Sequence, residues 1–262
     1  MTLIIINLLA LVIYLIAGFY QLILIKQEKP QKNNIFLALA ALSILCHSAG
    51  VYPLIVQNNG IDLEIGNMAS LVVLSINVLV FFSSLLRPLQ NLFIFLFPLS
   101  ALAIAFSVFR QEPHFVSVGP EIAAHILLSI IAYSLLAITS LQALLLAWQN
   151  YQLKNHHLTG PVKLLPPLQT MERLMFDILR AGVLLLSLAI ASGFIFLEDI
   201  FAQQLVHKTV LSLLAWLVFV GLLWCRHSFG WCGNLAVKWV LFGFCLLLLA
   251  YFGSELVLQI LL

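Results

Sequence analysis

Apolar residues fill most of the chain in long runs, and short polar stretches separate one run from the next. A run of about 20 apolar residues is long enough to cross a bilayer as a helix. Barrel strands would instead show short segments of alternating polarity. We therefore predict an all-α, polytopic integral membrane protein with eight transmembrane helices, at residues 3–25, 35–56, 67–86, 90–109, 121–148, 175–197, 206–226 and 237–260.

Composition agrees with this pattern. Hydrophobic residues make up 63% of the 262 residues and charged residues 8%, whereas soluble domains carry about 25% charged residues. The mean hydropathy is +1.12. No basic run interleaved with aromatic residues predicts a nucleic-acid partner. The first run has neither a basic start nor a small-residue cleavage signature, so we expect a retained helix and not a signal peptide.

The distribution of charge predicts the orientation. Acidic residues concentrate in the connections after the even-numbered spans, and basic residues after the odd-numbered ones. Because cytoplasmic loops carry the excess of Lys and Arg, we expect both termini outside the cytoplasm. The basic residues after spans one, three, five and seven are Lys26, Lys29, Lys32, Arg87, Lys154, Lys163, Arg173, Arg226 and Lys238, against Arg110 and Lys208 on the other side.

The longest connection, residues 150–174, contains Gly160, Pro161, Pro166 and Pro167. Proline and glycine prevent a straight continuation of the preceding helix. We expect this segment to lie against the membrane surface. No repeat array or low-complexity tail is visible, so we predict a single transmembrane helical domain over residues 1–262.

Among the histidines within or at the ends of spans, three are candidates for a site: His47, His125 and His227. His207, which begins the seventh span, is not one of them. Ionisable residues in membrane spans usually face a bundle interior or a ligand. Neutral imidazole binds transition metals and haem iron, and a helical bundle can hold haem between facing helices. The alternative is a histidine that simply hydrogen-bonds to a neighbouring serine or carbonyl.

Other chemistries have weaker support. Cys225, His227 and Cys232 offer zinc-type donors, but a fourth ligand is missing and the spacing matches no zinc signature. A proton or ion pathway would require carboxylates in mid-span, and paired broken helices typical of transporters are not evident. No nucleophile elbow or phosphate-binding loop occurs, so we do not expect an enzyme.

Several motifs in the second half of the chain carry a family resemblance. The seventh span holds Lys208, Trp216 and His227, a Gly-Trp-Cys-Gly turn follows, and the last span bears Tyr-Phe-Gly at 251–253. The segments AHILLSIIAYSLLAI and MERLMFDILRAGVLLLSLAIASG precede them. Together, from about residue 67 to 262, they resemble the cytochrome c assembly family of membrane haem-handling proteins, of the CcsA, ResC and CcmC type, and its shorter inner-membrane branch of the YpjD and HemX type.

The resemblance implies a haem-handling accessory protein of the bacterial inner membrane, linked to cytochrome c assembly. It implies that His47 and His227 are the iron ligands of a haem b and that His125 is a further haem-facing group. The implied partners are the lipid bilayer, haem and other cytochrome assembly proteins. The aromatic residues implied around the porphyrin are Trp216, Trp224, Phe219 and Tyr133.

Two departures from the family pattern keep an alternative open. The connection at 198–208 contains no tryptophan-rich segment, and no histidine follows His227. At 1.5 Å per residue His47 also lies roughly 18 Å into its span, whereas His227 lies at the end of its own. The alternative is a non-haem membrane scaffold or regulatory partner that kept the bundle and lost the haem-presenting loop.

Overall fold

Helices make up nearly all of the structure, a computed structural model. It describes residues 2–27, 33–57, 60–62, 64–87, 89–109, 115–116, 119–155, 165–196, 203–231 and 233–253. Within these ranges eight helices are long and apolar enough to cross a membrane, which confirms the predicted class and number. They are α1 (Thr2–Lys26), α2 (Asn34–Ile55), α3 (Ile65–Leu86), α4 (Phe93–Phe109), α5 (Pro120–Lys154), α6 (Leu168–Phe196), α7 (Gln203–Phe229) and α8 (Asn234–Leu248).

The predicted bounds are wrong mainly around the long connection. Helix α5 continues to Lys154, and α6 begins at Leu168 instead of 175. The first turns of α6 carry Glu172 and Arg173. Both residue types form helices readily, but because they are charged they lie outside the apolar run from which the helix was predicted. Pro167 stands just before the helix, and its carbonyl accepts a hydrogen bond from the Thr170 amide at 2.9 Å. Helical structure therefore extends beyond the apolar runs.

The chain forms two compact units. Unit 1 comprises Met1–Val118 with His157–Pro166, and unit 2 comprises Gly119–His156 with Pro167–Leu262. The single domain and the orientation of the termini stay predictions. The orientation rests partly on Lys29, Lys32, Arg110 and Lys163, which lie outside the described residues.

In unit 1, α1 packs against α2 and α4, and α3 packs against the same two helices. An aromatic cluster fills the space between α1, α2 and α4. The Tyr14 and Phe97 ring centroids are 5.3 Å apart, those of Phe93 and Phe97 4.8 Å, and those of Phe36 and Phe93 5.7 Å. All four side chains are almost fully buried. This cluster is the apolar part of the unit 1 core.

Helix α3 adds a polar stripe to that core, formed by Asn67, Ser70, Asn77 and Ser84. The spacing of three and seven residues places all four on one face of the helix, and each is at most 8% exposed. Asn77 donates to the Ser100 hydroxyl of α4 at 2.7 Å, and Asn67 accepts from Ser107 of α4. Hydrogen bonds therefore tie α3 to its neighbours along much of its length.

Three very short strands, which the sequence did not predict, accompany unit 1. The strands β1 (Val56–Gln57), β2 (Gly60–Asp62) and β3 (Phe115–Val116) pair antiparallel in that order. They join the segment after α2 to the segment after α4. At the start of α3, the Glu64 carboxylate accepts from the amides of Gly66 and Asn67 and so caps the helix.

In unit 2, α5 packs against α6 and α8, and α7 packs against α6 and α8. Glycines allow two of these close approaches. A Cβ atom at Gly182 of α6 would lie 2.9 Å from the Leu136 side chain of α5, and one at Gly243 of α8 would lie 2.7 Å from the Phe219 ring of α7. Small residues at such contacts are typical of membrane helix packing. A π-helical turn, Leu249–Gly253, follows α8.

Candidate functional site

His47 lies in the middle of α2 and is fully buried in unit 1. Its Nδ1 is 3.2 Å from the Tyr14 hydroxyl of α1, and its Nε2 is 2.8 Å from the Ser70 hydroxyl of α3. The Tyr14 and His47 rings meet edge to face, with centroids 5.6 Å apart. Three helices therefore converge on this imidazole, and both of its nitrogens have a partner.

The tautomer of His47 decides which nitrogen donates and which accepts in these two hydrogen bonds. Both nitrogens have hydroxyl partners in either tautomer. Coordination of iron by Nε2 would require the loss of the Ser70 hydrogen bond, and coordination by Nδ1 the loss of the Tyr14 hydrogen bond.

His125 lies in the second turn of α5 and is partly buried in unit 2. Its Nδ1 is 2.9 Å from the Ser192 hydroxyl of α6. Ser192 donates its own proton to the Ala189 carbonyl at 2.8 Å, so it accepts and Nδ1 carries the hydrogen. The Ala189 carbonyl also interacts with the ring; a carbonyl can only accept, so it shares the Nδ1 hydrogen with Ser192. No described residue donates a hydrogen bond to Nε2, and its lone pair is therefore available to a ligand.

This arrangement has the chemistry of a metal-binding histidine. Ligating imidazoles almost always donate their second ring N–H to an oxygen, which fixes the tautomer and the ring orientation. Ser192 does this for His125. The sequence showed His125 as a candidate but gave no sign of Ser192, because the two residues are 67 positions apart and meet only when α5 packs on α6.

The remaining predicted residues lie in unit 2 at different depths. Trp216 of α7 donates from Nε1 to the Ser187 hydroxyl of α6 at 2.8 Å, and Phe219 is fully buried. The Tyr133 hydroxyl is 3.4 Å from that of Ser212. Trp224 is 69% exposed, and His227 is exposed in the last turn of α7. The structure thus gives Trp216 and Tyr133 packed positions and leaves Trp224 and His227 at the surface of the unit.

Among the residues that the structure describes, neither His47 nor His227 belongs to a group of histidines within its own unit. His47 belongs to unit 1, and His125 and His227 belong to unit 2. The pairing of His47 with His227 as iron ligands stays a prediction. For the zinc alternative, Cys232 lies outside the described residues, and the described part of the chain contains no group of three or more potential metal-binding side chains.

Sequence analysis placed Arg173 and Arg226 on the basic side of the membrane but did not predict the contacts of Arg226 in unit 2. Arg226 near the end of α7 forms an ion pair with Glu172 of α6, with 3.0 Å between Nη1 and Oε1. Its guanidinium lies 4.8 Å from the centroid of the Phe176 ring. Glu172 and Phe176 are four residues apart and share a face of α6, which was the only signal available from the sequence.

Comparison with known proteins agrees with the architecture. The family described as cytochrome C assembly protein matches residues 6–262. The inner membrane protein YpjD of Escherichia coli strain K12 is 36% identical over 97% of this chain and 97% of its own length. The same protein from E. coli O157:H7 matches equally. An uncharacterized 28.8 kDa protein of Azospirillum brasilense is 33% identical over 55% of this chain and 54% of its own. No solved structure matches.

Proposed function

Because the chain belongs to the cytochrome c assembly family, we propose that it handles haem during cytochrome c assembly and holds it through His125. It is a multi-pass protein of the bacterial inner membrane, as its similarity to YpjD and its eight apolar helices support. Family membership supports a role linked to cytochrome c biogenesis. Binding of haem through a named histidine is the finer step that we add.

The observation that carries the proposal is the state of the His125 ring. Ser192 holds Nδ1 at 2.9 Å, and no described residue donates a hydrogen bond to Nε2. One histidine suffices as the protein ligand on one side of haem iron. When bound, haem would supply an iron centre and an apolar porphyrin face. The residues of this chain would position the imidazole through Ser192 and pack apolar side chains beside it.

The haem in this proposal is haem b, held without covalent bonds. Covalent attachment uses the spacing Cys-x-x-Cys-His, and position 43, three residues before Cys46, is a serine. With the orientation predicted from the charges, His125 lies near the outer face of the membrane. There the protein would hold haem for other assembly proteins and would not itself catalyse its attachment.

A second candidate function is a non-haem membrane scaffold. The observation that favours it is that both ring nitrogens of His47 have hydroxyl partners. These hydrogen bonds are those expected of a histidine whose role is to join helices. The scaffold would use the same bundle to bind another membrane protein.

Absorption spectra of the purified protein decide between the two. The wild-type protein from haem-replete cells, reduced minus oxidised, should show a Soret band and split visible bands. His125→Ala should remove most of this absorption, because no other described residue of unit 2 offers an imidazole oriented by a serine. Ser129→Ala, one turn further along α5, is the matched control and should keep the spectrum.

The same spectra test the pair predicted from the sequence. Loss of the bands in both His47→Ala and His227→Ala, with His125→Ala unchanged, would assign the iron to that pair and reject His125. A wild-type protein that contains no haem and takes up none would leave the scaffold as the function.

A further inference from the structure

A pocket of about 420 Å³ opens at the end of unit 2 where α6 begins and α7 ends. This volume is within the range of small-molecule sites. Three arginines contribute to its wall, two from α6 and one from α7. The lining residues are Gln169, Glu172, Arg173, Phe176, Asp177, Arg180 and Arg226.

Arg226 is fixed in this wall. Its Nη1 is 3.0 Å from the Glu172 carboxylate and donates to the Trp231 carbonyl at 3.0 Å, while the guanidinium lies against the Phe176 ring. Within the described residues its hydrogen bonds use Nη1 alone. The guanidinium has five N–H donors in a rigid plane. Donors on Nη2 and Nε therefore remain for a ligand.

The two arginines of α6 are exposed. Arg180 forms an ion pair with Asp177 at 3.3 Å, a contact along its own helix. Arg173 makes no ion pair or hydrogen bond with any residue that the structure describes. Exposed ion pairs of this kind contribute little and exchange readily. Three guanidinium groups face two carboxylates in this wall, so its formal charge is positive.

Aromatic residues place the pocket at the level of lipid headgroups. Trp231, whose carbonyl binds Arg226, has its ring centroid 6.1 Å from that of Trp239. At the same end of the unit, Asn150 of α5 donates to Asn234 of α8 at 2.9 Å, and the exposed Tyr151 follows. Tryptophan and tyrosine concentrate where a bilayer meets water.

We propose that this pocket binds a phosphate group, carried by an anionic membrane lipid. Arginine binds phosphate with paired, charge-assisted hydrogen bonds. Here Arg226 supplies a fixed donor plane, and Arg173 and Arg180 supply two further guanidinium groups that are exposed in the same wall. The acyl chains of a lipid would extend over the apolar surface of α6, where the side chain of Leu184 is 61% exposed. The site does not involve haem or any of the three membrane histidines.

Native mass spectrometry of the purified protein, titrated with phosphatidylglycerol, tests this proposal. The double variant Arg173→Gln, Arg180→Gln removes two exposed arginines and leaves the Arg226 pair intact, so the fold should survive. We expect its affinity for phosphatidylglycerol to fall about tenfold or more, since each charge-assisted hydrogen bond contributes substantially. The control is Lys154→Gln, Lys238→Gln, which removes two exposed charges at the same end of unit 2, outside the pocket.

A thermal-shift titration with inorganic phosphate, in zwitterionic detergent, distinguishes the source of the phosphate. A saturable shift with inorganic phosphate that the arginine variant loses, without selective binding of phosphatidylglycerol, would assign the site to a soluble phosphate compound and reject the lipid. Equal loss of lipid in the two double variants, or no loss in either, would overturn the site itself.

Discussion

His47 and His125 show two uses of the same side chain in one membrane protein. In unit 1, His47 is fully buried and hydrogen-bonded at both nitrogens, by Tyr14 and Ser70. In unit 2, His125 is half-buried and hydrogen-bonded at Nδ1 by Ser192. The first histidine joins three helices. The second is oriented by one serine and keeps a nitrogen for another partner.

The difference depends on where each serine sends its proton. Ser192 gives its proton to the backbone of α6 and so can only accept from an imidazole. Ser70 has no such backbone acceptor among its described contacts, so its hydroxyl can either donate to His47 Nε2 or accept from it. A serine beside a histidine therefore does not by itself show whether that histidine is structural. The two cases differ in whether the serine already donates its hydroxyl proton to a backbone carbonyl.

The largest expected effect is on unit 1. His47→Ala should lower the free energy of unfolding in detergent by about 2–4 kcal/mol, because it leaves a cavity and two buried hydroxyls without their partner. Circular dichroism during thermal or denaturant unfolding measures this. His125→Ala, the matched change in unit 2, should lower it by less. A reversed order would break the comparison between the two histidines.

Ser192→Ala tests whether the orientation of His125 matters. If haem binds through His125, loss of this support should weaken binding about 10–100-fold, as for other residues that orient metal-binding histidines. Titration of the apoprotein with haem, followed at the Soret band, measures the affinity. The control is Ser187→Ala. Ser187 lies on α6, as Ser192 does, and accepts a hydrogen bond from Trp216 of α7. Equal losses in both variants would indicate a general effect on packing.

Ser100→Ala tests the polar stripe of α3. It removes the partner of Asn77 and should cost about 0.6–1.7 kcal/mol, the usual range for a hydrogen bond between membrane helices. Ser212→Ala in unit 2 removes a longer contact, 3.4 Å from the Tyr133 hydroxyl, and should cost less. The unfolding midpoints of the two variants, measured side by side, test this prediction. A larger decrease in the midpoint of Ser212→Ala than in that of Ser100→Ala would contradict it.

His227→Ala should have the smallest effect. The side chain is exposed in the last turn of α7, and exposed substitutions usually change stability by about 0.5 kcal/mol or less. We expect unfolding and the haem spectrum to match the wild type. A lost spectrum with unchanged unfolding would restore His227 as an iron ligand and make His125 the secondary residue.

The sequence predicted the eight helices because each apolar run is long enough to span a bilayer. It placed the start of α6 seven residues too late, because the first turns of the helix, which carry Glu172 and Arg173, come before the apolar run. It singled out His47 and His125 as candidates, but it could not distinguish their surroundings. Tyr14, Ser70 and Ser192 reach them from other helices, and such contacts exist only after packing.

The polar stripe of α3 has a consequence for how the protein is made. Before α4 is present, Asn67 and Asn77 of α3 would each lack one hydrogen-bond partner, and an incompletely bonded amide in lipid is costly. The missing partners, Ser107 and Ser100, both lie on α4, which begins seven residues after α3 ends. A ribosome covers the roughly 25 residues to the end of α4 in about one to five seconds. We therefore expect α3 and α4 to leave the translocon as a pair.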